Sequence, residues 1–259
     1  MNIISSLQNS HIKRLKKLSS NKSNKKDGEF IIEGVKEISL AVNSNFQIKK
    51  VFFREKKTFK LDIKLSNKIE MFYLKKNLFD LLTYRKNSSK VIAVADKISY
   101  SLDDIFLKKK SIVLILENIE KPGNLGAILR TADGMNVSGI IIVDSKINIY
   151  NSNVIRSSMG SVFNLPIIKT NKEKAIEFLI KNKFNLYNTI ISKNSKNYLD
   201  VSYLGNNAIA FGSENKGLSN NWRSYNAKEI CIKMNGKSDS FNLSVSVGII
   251  LSEIVRQTK

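Results

Sequence analysis

The chain has 259 residues, 42% hydrophobic and 25% charged, with one cysteine, one histidine and a formal net charge of +21. A single cysteine excludes an internal disulfide framework and a cysteine-cluster zinc site, and no apolar run approaches the ~20 residues of a membrane span. So positive a field attracts polyanions, nucleic acid foremost.

The excess is strongest early: residues 1–110 hold 25 Lys+Arg against 11 Asp+Glu, and residues 111–259 hold 18 against 11. Residues 1–26 carry seven basic side chains and no acid, which a general bias toward lysine does not explain. The polar opening MNIISSLQNS lacks the charged-then-apolar pattern of a secretory signal, so a cytoplasmic protein is expected.

In chain order, LQNSHIKRLKKL (7–18) spaces Leu7, Ile12, Leu15 and Leu18 along one helical face, with the basic residues elsewhere. This predicts a short basic amphipathic helix whose Lys13 and Arg14 contact RNA, and His11 reads as an RNA contact or surface residue. SSNKSNKKDGE (19–29) has loop chemistry. FIIEGVKEISLAV (30–42) reads as a strand running into a helix, IKKVFFR (48–54) and KIEMFYL (68–74) as strands, LFDLLTY (78–84) as a helix and KVIAVAD (90–96) as a strand. That alternation predicts a small α/β domain over residues 1–96, followed by a linker over 97–110.

From residue 111 the pattern becomes more apolar. SIVLIL (111–116), GIIIVD (139–144), FNLYNTII (184–191), NAIAFG (207–212) and KEICIK (228–233) read as strands, with Cys231 a small core residue in the last. Helical stretches lie between and after them. In the final one Leu243, Val247, Ile250, Leu251 and Ile254 form one apolar face. The expected fold is α/β, a mostly parallel sheet covered by helices on both sides, over residues 111–259.

Several chemistries are absent. There is no G-x-G-x-x-G run for a dinucleotide fold. Gly236-Lys237-Ser238 lacks the glycine five positions earlier that a P-loop needs, because Cys231 stands there. Without a histidine in this half, serine-hydrolase and histidine-zinc readings fail.

Three stretches instead open where apolar runs end, as loops do at the carboxyl ends of parallel strands. In ENIEKPGNLGAILRTADG (117–134) a helix is expected to begin near Asn124. Gly126 would bare its first amides to an anion, and Arg130, less than two turns on, would grip phosphate. In IAFGSENKGLS (209–219), Gly212 and Gly217 permit a tight loop, and Glu214 would bind a ligand amine or orient Arg130. In the third stretch Ser240, Asn242 and Ser244 precede the final helix. One should cap it, and the others have the chemistry to hold ribose hydroxyls or an RNA phosphate.

Together with VIRSSMGSVFNLP (154–166) and SFNLSVSVGIILSEIVRQ (240–257), these stretches resemble the SpoU (TrmH-type) branch of the SPOUT RNA methyltransferases over residues 111–259. The first 95 or so residues look like the RNA substrate-binding domain that many members carry. The resemblance implies a deep trefoil knot, S-adenosyl-L-methionine as cofactor, no metal, a homodimer, and transfer of a methyl group to a ribose 2′-hydroxyl of structured RNA, ribosomal before transfer RNA. By motif, Asn124, Arg130, Glu214, Ser240 and Asn242 match the catalytic set. Gly212, Gly217, Ile232 and Phe241 match the cofactor pocket, and Arg156 and Arg256 match basic positions that would face RNA. Lys233 and Phe241 depart from the family's usual proline and leucine on the cofactor wall. The family proposal makes the Arg130-type residue the base. Arginine resists deprotonation, so Arg130 is read as aligning the hydroxyl and adjacent phosphate. The alternatives are a transfer-RNA 2′-O-methyltransferase, a SPOUT base methyltransferase, against which the ribose-type motifs argue, and a catalytically dead RNA-binding assembly factor.

Overall fold

Short runs rich in Val, Ile and Phe form most of the strands, because β-branched and aromatic side chains pack well on a pleated surface. The computed structural model describes residues 3–20, 28–55, 69–83, 90–219, 222 and 225–258. By contact the chain divides into two units, Met1–Ile98 with Asn148–Asn164, and Ser99–Ile147 with Leu165–Lys259.

The first unit is a five-stranded mixed sheet. Its elements are β1 (Ile3–Ile4), α1 (Ser10–Ser19), β2 (Glu29–Glu33), α2 (Val35–Asn43), β3 (Ile48–Arg54), β4 (Glu70–Leu74), α3 (Lys76–Leu82) and β5 (Val91–Asp96). The strand order is β1-β4-β3-β5-β2, with β1, β3 and β4 parallel and β5 antiparallel to both its neighbours. α1 starts at Ser10, where the Asn9 side chain accepts from the His11 amide. Leu7 therefore lies ahead of the helix and is 46% exposed, off the apolar face assigned to it, while Ile12, Leu15 and Leu18 are buried against Phe52, Leu74 and Phe79. His11 is half-buried rather than a surface residue, with its ring 4.4 Å from that of Phe72. Burial and the nearby Lys50 hold its pKa below the usual histidine value. Of the loop read over residues 19–29, residues 21–27 lie outside the described residues, as do Lys68 and Tyr84 at the ends of a predicted strand and helix.

Residues 148–164 join this unit through their aromatics. Tyr150 stacks on Phe30 at 4.5 Å, and Phe163 meets Phe46 edge-on at 5.0 Å. Gly160 (φ +89) permits the approach, because a Cβ there would lie 2.6 Å from Leu40 Cδ1.

The second unit is a seven-stranded sheet, parallel at every pairing. Its elements in order are β6 (Ile112–Glu117), α4 (Pro122–Gly134), β7 (Gly139–Val143), then, after α5 (Ser152–Ser157) of the first unit, β8 (Ile167–Thr170), α6 (Lys172–Lys181), β9 (Phe184–Thr189), β10 (Lys196–Asn197), β11 (Asn206–Phe211), β12 (Lys228–Cys231) and α7 (Leu243–Thr258). The spatial order is β10-β12-β9-β11-β6-β7-β8. Every residue of β6 and β7 is buried, as expected of strands covered on both faces. All five predicted apolar positions of α7 are buried, and that helix packs against α4. Residues 100–107 belong to this core: Ile105 is 4% exposed and fills the space above Gly139, where a Cβ would lie 2.9 Å from its Cγ1. No helix among the described residues is long and apolar enough to cross a membrane.

Because the sheet is parallel, β6, β9, β11 and β12 all end on one edge, and the three motif loops leave from that edge.

Candidate functional site

β6 ends in Glu117, only 2% exposed. Its Oε1 lies 2.8 Å from Lys172 Nζ at the start of α6, and its carboxylate accepts from the Ser219 amide (2.7 Å) and hydroxyl (2.8 Å). Burial pushes this carboxyl up, but the Lys172 and Ser219 bonds prevail and hold its pKa below the ordinary value. Ser219 closely follows the Gly212–Gly217 loop, so the network ties the base of that loop to the end of β6.

The loop is closed on itself. The Gly217 amide donates to the Ser213 carbonyl at 2.9 Å, the two residues form an antiparallel bridge, and the Lys216 amide donates to Ser213 Oγ at 3.2 Å. Both glycines are required sterically. A Cβ on Gly212 would lie 1.9 Å from the Gly217 carbonyl carbon, and Gly217 has φ +63, a conformation costly for other residues.

α4 begins at Pro122, two residues earlier than expected, with proline at a position where no amide is needed. The Leu125 amide already bonds the Lys121 carbonyl at 3.1 Å. Gly126 is therefore buried inside the helical ladder and does not bare the anion-favouring amides; those of Gly123 and Asn124 fill that position. At the start of α7, Asn242 is the cap: its Oδ1 accepts from the Ser244 amide at 2.9 Å and its carbonyl from the Ser246 amide at 2.9 Å.

Side chains from all three motifs meet. Asn124 Nδ2 donates to Glu214 Oε1 in a short bond, and Asn124 Oδ1 accepts from Asn242 Nδ2 at 3.3 Å. Lys121 Nζ lies 3.7 Å from the same Glu214 oxygen. Glu214 thus engages Asn124 and Lys121 rather than Arg130, which is exposed on α4 with no side-chain partner among the described residues. Ser240 and Phe241 are likewise exposed.

Glu214 also lines a cavity of about 380 Å³. Ile190, Phe211, Leu218, Ile232 and Phe241 supply apolar wall, while Glu214 and Ser240 bring polar groups and Gly212 and Gly217 bring backbone. Cys231 lines it too, so it is half-buried at a pocket rather than a core residue. The sequence reading missed Thr189 and Ile190, at the end of β9, and Met234. The end of β9 was the available signal, since it brings a fourth strand to the same edge. No cluster of potential metal ligands occurs among the described residues.

The expected RNA-facing residues differ in freedom. Lys13 is exposed. Arg14 donates twice to Glu29 Oε2, at 3.1 and 2.8 Å. Arg256 donates to both Glu253 oxygens, at 2.8 and 2.6 Å. Arg156 is half-buried and lines a separate cavity within the first unit.

This arrangement has counterparts. A 23S rRNA (guanosine(2553)-2′-O)-methyltransferase of Bacillus subtilis is 24% identical over 97% of this chain and 98% of its own length. A 23S rRNA (uridine(2479)-2′-O)-methyltransferase of Streptomyces viridochromogenes is 26% identical over 89% of this chain and 83% of its own. The crystal structure of an AdoMet-bound rRNA methyltransferase from Sinorhizobium meliloti superposes with a TM-score of 0.91, at 26% identity, over 100% of this chain and 98% of that one. Residues 9–93 match the MRM3-like substrate binding domain. Residues 111–252, which hold every motif of the site just described, match the SpoU rRNA methylase family, and to that family the chain belongs.

Proposed function

We propose that the protein methylates a ribose 2′-hydroxyl of ribosomal RNA with S-adenosyl-L-methionine as methyl donor. The observation that carries this reading is the Glu214–Asn124–Asn242 chain of contacts, drawn from three separate motifs, whose Glu214 lines an apolar-walled cavity. Ribosomal RNA is preferred to transfer RNA because the relatives that match this chain nearly end to end carry 23S rRNA in their names.

The cavity residues suit the cofactor. Its volume of about 380 Å³ lies within the usual range for small-molecule sites. Ile232 and Phe241 offer apolar contact, and the Gly212–Gly217 loop brings backbone where a side chain would intrude. Bound there, the cofactor supplies an electrophilic methyl group.

The chain's own residues do the rest. Arg130 aligns the attacking hydroxyl and its neighbouring phosphate with its planar guanidinium. Asn124, held from both sides by Glu214 and Asn242, and Ser240 complete the surface that orients the ribose. The hydroxyl proton passes to phosphate or water, so catalysis rests on orientation and electrostatics. Lys13, Arg14, Arg156 and Arg256 are the RNA-facing set, with residues 1–96 as the substrate-binding domain, 97–110 as its linker and 111–259 as the catalytic domain. The family's trefoil knot, a homodimer and a cytoplasmic location complete the proposal. A monomer by light scattering at micromolar concentration would count against the dimer.

The test uses methyl-labelled cofactor with separate pools of unmodified ribosomal and transfer RNA. Label in alkali-resistant dinucleotides from the ribosomal pool is expected, because a methylated 2′-hydroxyl blocks cleavage. Label confined to mononucleotides would mean base methylation, and label only in the transfer-RNA pool would move the substrate class.

A further inference from the structure

The methyl-transfer chemistry leaves unused a cavity of about 240 Å³ inside the first unit. Its walls are largely apolar, from Leu18, Ile31, Leu82, Tyr150 and Ile155, and three charged side chains reach it, Glu33, Glu37 and Arg156, the last donating from Nη2 to Asn153 Oδ1 at 3.3 Å. Its size is below the ~300–1,000 Å³ of sites for drug-sized ligands and suits a single planar ring system.

Glu37 is the unexpected feature. It is 6% exposed, yet its carboxylate makes no hydrogen bond or ion pair among the described residues. It sits on the third residue of α2, and one oxygen lies over Gly34, where a Cβ would be only 2.5 Å away. The helix N-terminus offsets part of the cost of burying this charge. It supplies no directed donor to the carboxylate, since the Gly34 amide bonds the Val91 carbonyl at 3.1 Å. A buried acid facing a cavity in this state calls for a ligand that brings N–H groups.

We infer that this cavity receives an unstacked guanine of the RNA. Guanine presents adjacent N1–H and N2–H donors, which a carboxylate accepts as a pair. Along its other edge it carries O6 and N7, which match an arginine fork. Glu37 supplies the first complement on this cavity, and Arg156, already bonded to Asn153 through Nη2, brings further N–H groups to the same wall. Uracil offers one ring N–H, and adenine and cytosine offer no such pair of adjacent donors. The neighbouring face of α1 presents Lys13, Lys16 and Lys17 to solvent, the charge needed to hold a backbone near a cavity that Leu18 and Ser19 border. Flipped bases held between apolar side chains are how proteins read RNA sequence outside duplexes.

This inference rests on the proposed RNA-directed function, and the experiment separates the two. Fluorescent oligouridylates of about ten nucleotides, carrying one central G, A or C or none, are titrated against the full-length protein, and affinity is read by anisotropy. The G probe is expected to bind about tenfold more tightly than the others, the discrimination a good base contact supplies. Glu37→Gln should abolish that preference while general affinity and the cofactor-induced rise in melting temperature persist. Arg156→Lys should reduce it, because an ammonium cannot make the paired contact. Equal affinity for all four probes, or a G preference that survives Glu37→Gln, overturns the guanine pocket and leaves the function standing. If no probe and no ribosomal RNA binds, while the cofactor still does, the RNA reading falls and the pocket with it.

Discussion

At the carboxyl end of β6, Glu117 is 2% exposed, with both carboxylate oxygens bonded by groups from α6 and from the segment after β11. At the start of α2, Glu37 is 6% exposed, with no bonded partner among the described residues. The two acids are nearly equally buried and do opposite things. The first closes a network that fixes the Gly212–Gly217 loop, so its energy goes into the shape of a neighbouring site. The second has no such network, so the energy of its desolvation is available to whatever enters the cavity. The same contrast separates Arg256, with both its Nε and Nη2 bonded to Glu253, from Arg130, which is exposed with no side-chain partner among the described residues.

Arg130→Ala should have the largest effect on activity, lowering kcat for methyl transfer by about 10²–10³-fold, as loss of one transition-state charge donor does. Cofactor affinity, measured by calorimetry, should not change. Near-full activity in Arg130→Lys would refute the alignment role, since the paired contact requires a guanidinium. Gly212→Ala tests the shape of the loop rather than its charge. With a Cβ 1.9 Å from Gly217, the loop must open, and cofactor binding should be lost while the seven-stranded sheet stays folded. Ordinary cofactor affinity in that variant would mean the loop does not shape the pocket.

The two carboxylates can be compared directly by equilibrium unfolding in urea. Glu117→Ala leaves Lys172 buried beside the Trp222 ring with its counter-ion gone, and stability should fall by about 3 kcal/mol. Adding Lys172→Met should restore most of it, because a hydrophobic replacement of the whole pair is close to neutral. Glu37→Gln should leave stability unchanged or slightly raised, since it removes a buried charge and breaks no bond. If Glu37→Gln proved as destabilising as Glu117→Ala, the acid would be structural and the contrast would disappear.

Much of this was readable along the chain, and the failures share a physical cause. The α7 stripe and the strands of the second unit are local patterns of burial, and local pattern is what sequence periodicity records. β8 escaped notice because four residues after Pro166 are too few to show a period. Leu7 fitted the helical spacing, but Asn9 offered a cap two residues later and the helix began there. Gly126 was misread because Pro122, an excellent first helical residue, moved the start back by two positions. Asn124, Glu214 and Asn242 from the three motifs do meet, but the pairing of Glu214 was missed, since charge favours Arg130 over the neutral Asn124 and spacing does not separate Lys121 from Arg130 as its partner. Glu117 and Ser219 lie 102 residues apart, and Glu37 is one of many helical acids. Whether a buried acid is bonded or left open is a property of packing alone.

The smallest expected effect concerns acid stability. Glu253 is buried on α7 and accepts from Arg256 and, at 2.6 Å, from Gln257. The Arg256 bond first, then that of Gln257, holds its pKa at about 2, against an ordinary value of 4.5. A carboxyl whose folded pKa is depressed binds protons more readily when unfolded. Its contribution is therefore complete above about pH 4.5 and is lost as pH falls toward and through about 2. Arg256→Gln removes the leading cause, so the folded pKa should rise and the acid-unfolding midpoint, followed by circular dichroism between pH 5 and pH 2, should move upward. The Arg256 side chain is 70% exposed, so salt should shrink the shift. An unchanged midpoint at low salt would mean that this pair adds nothing to the folded state.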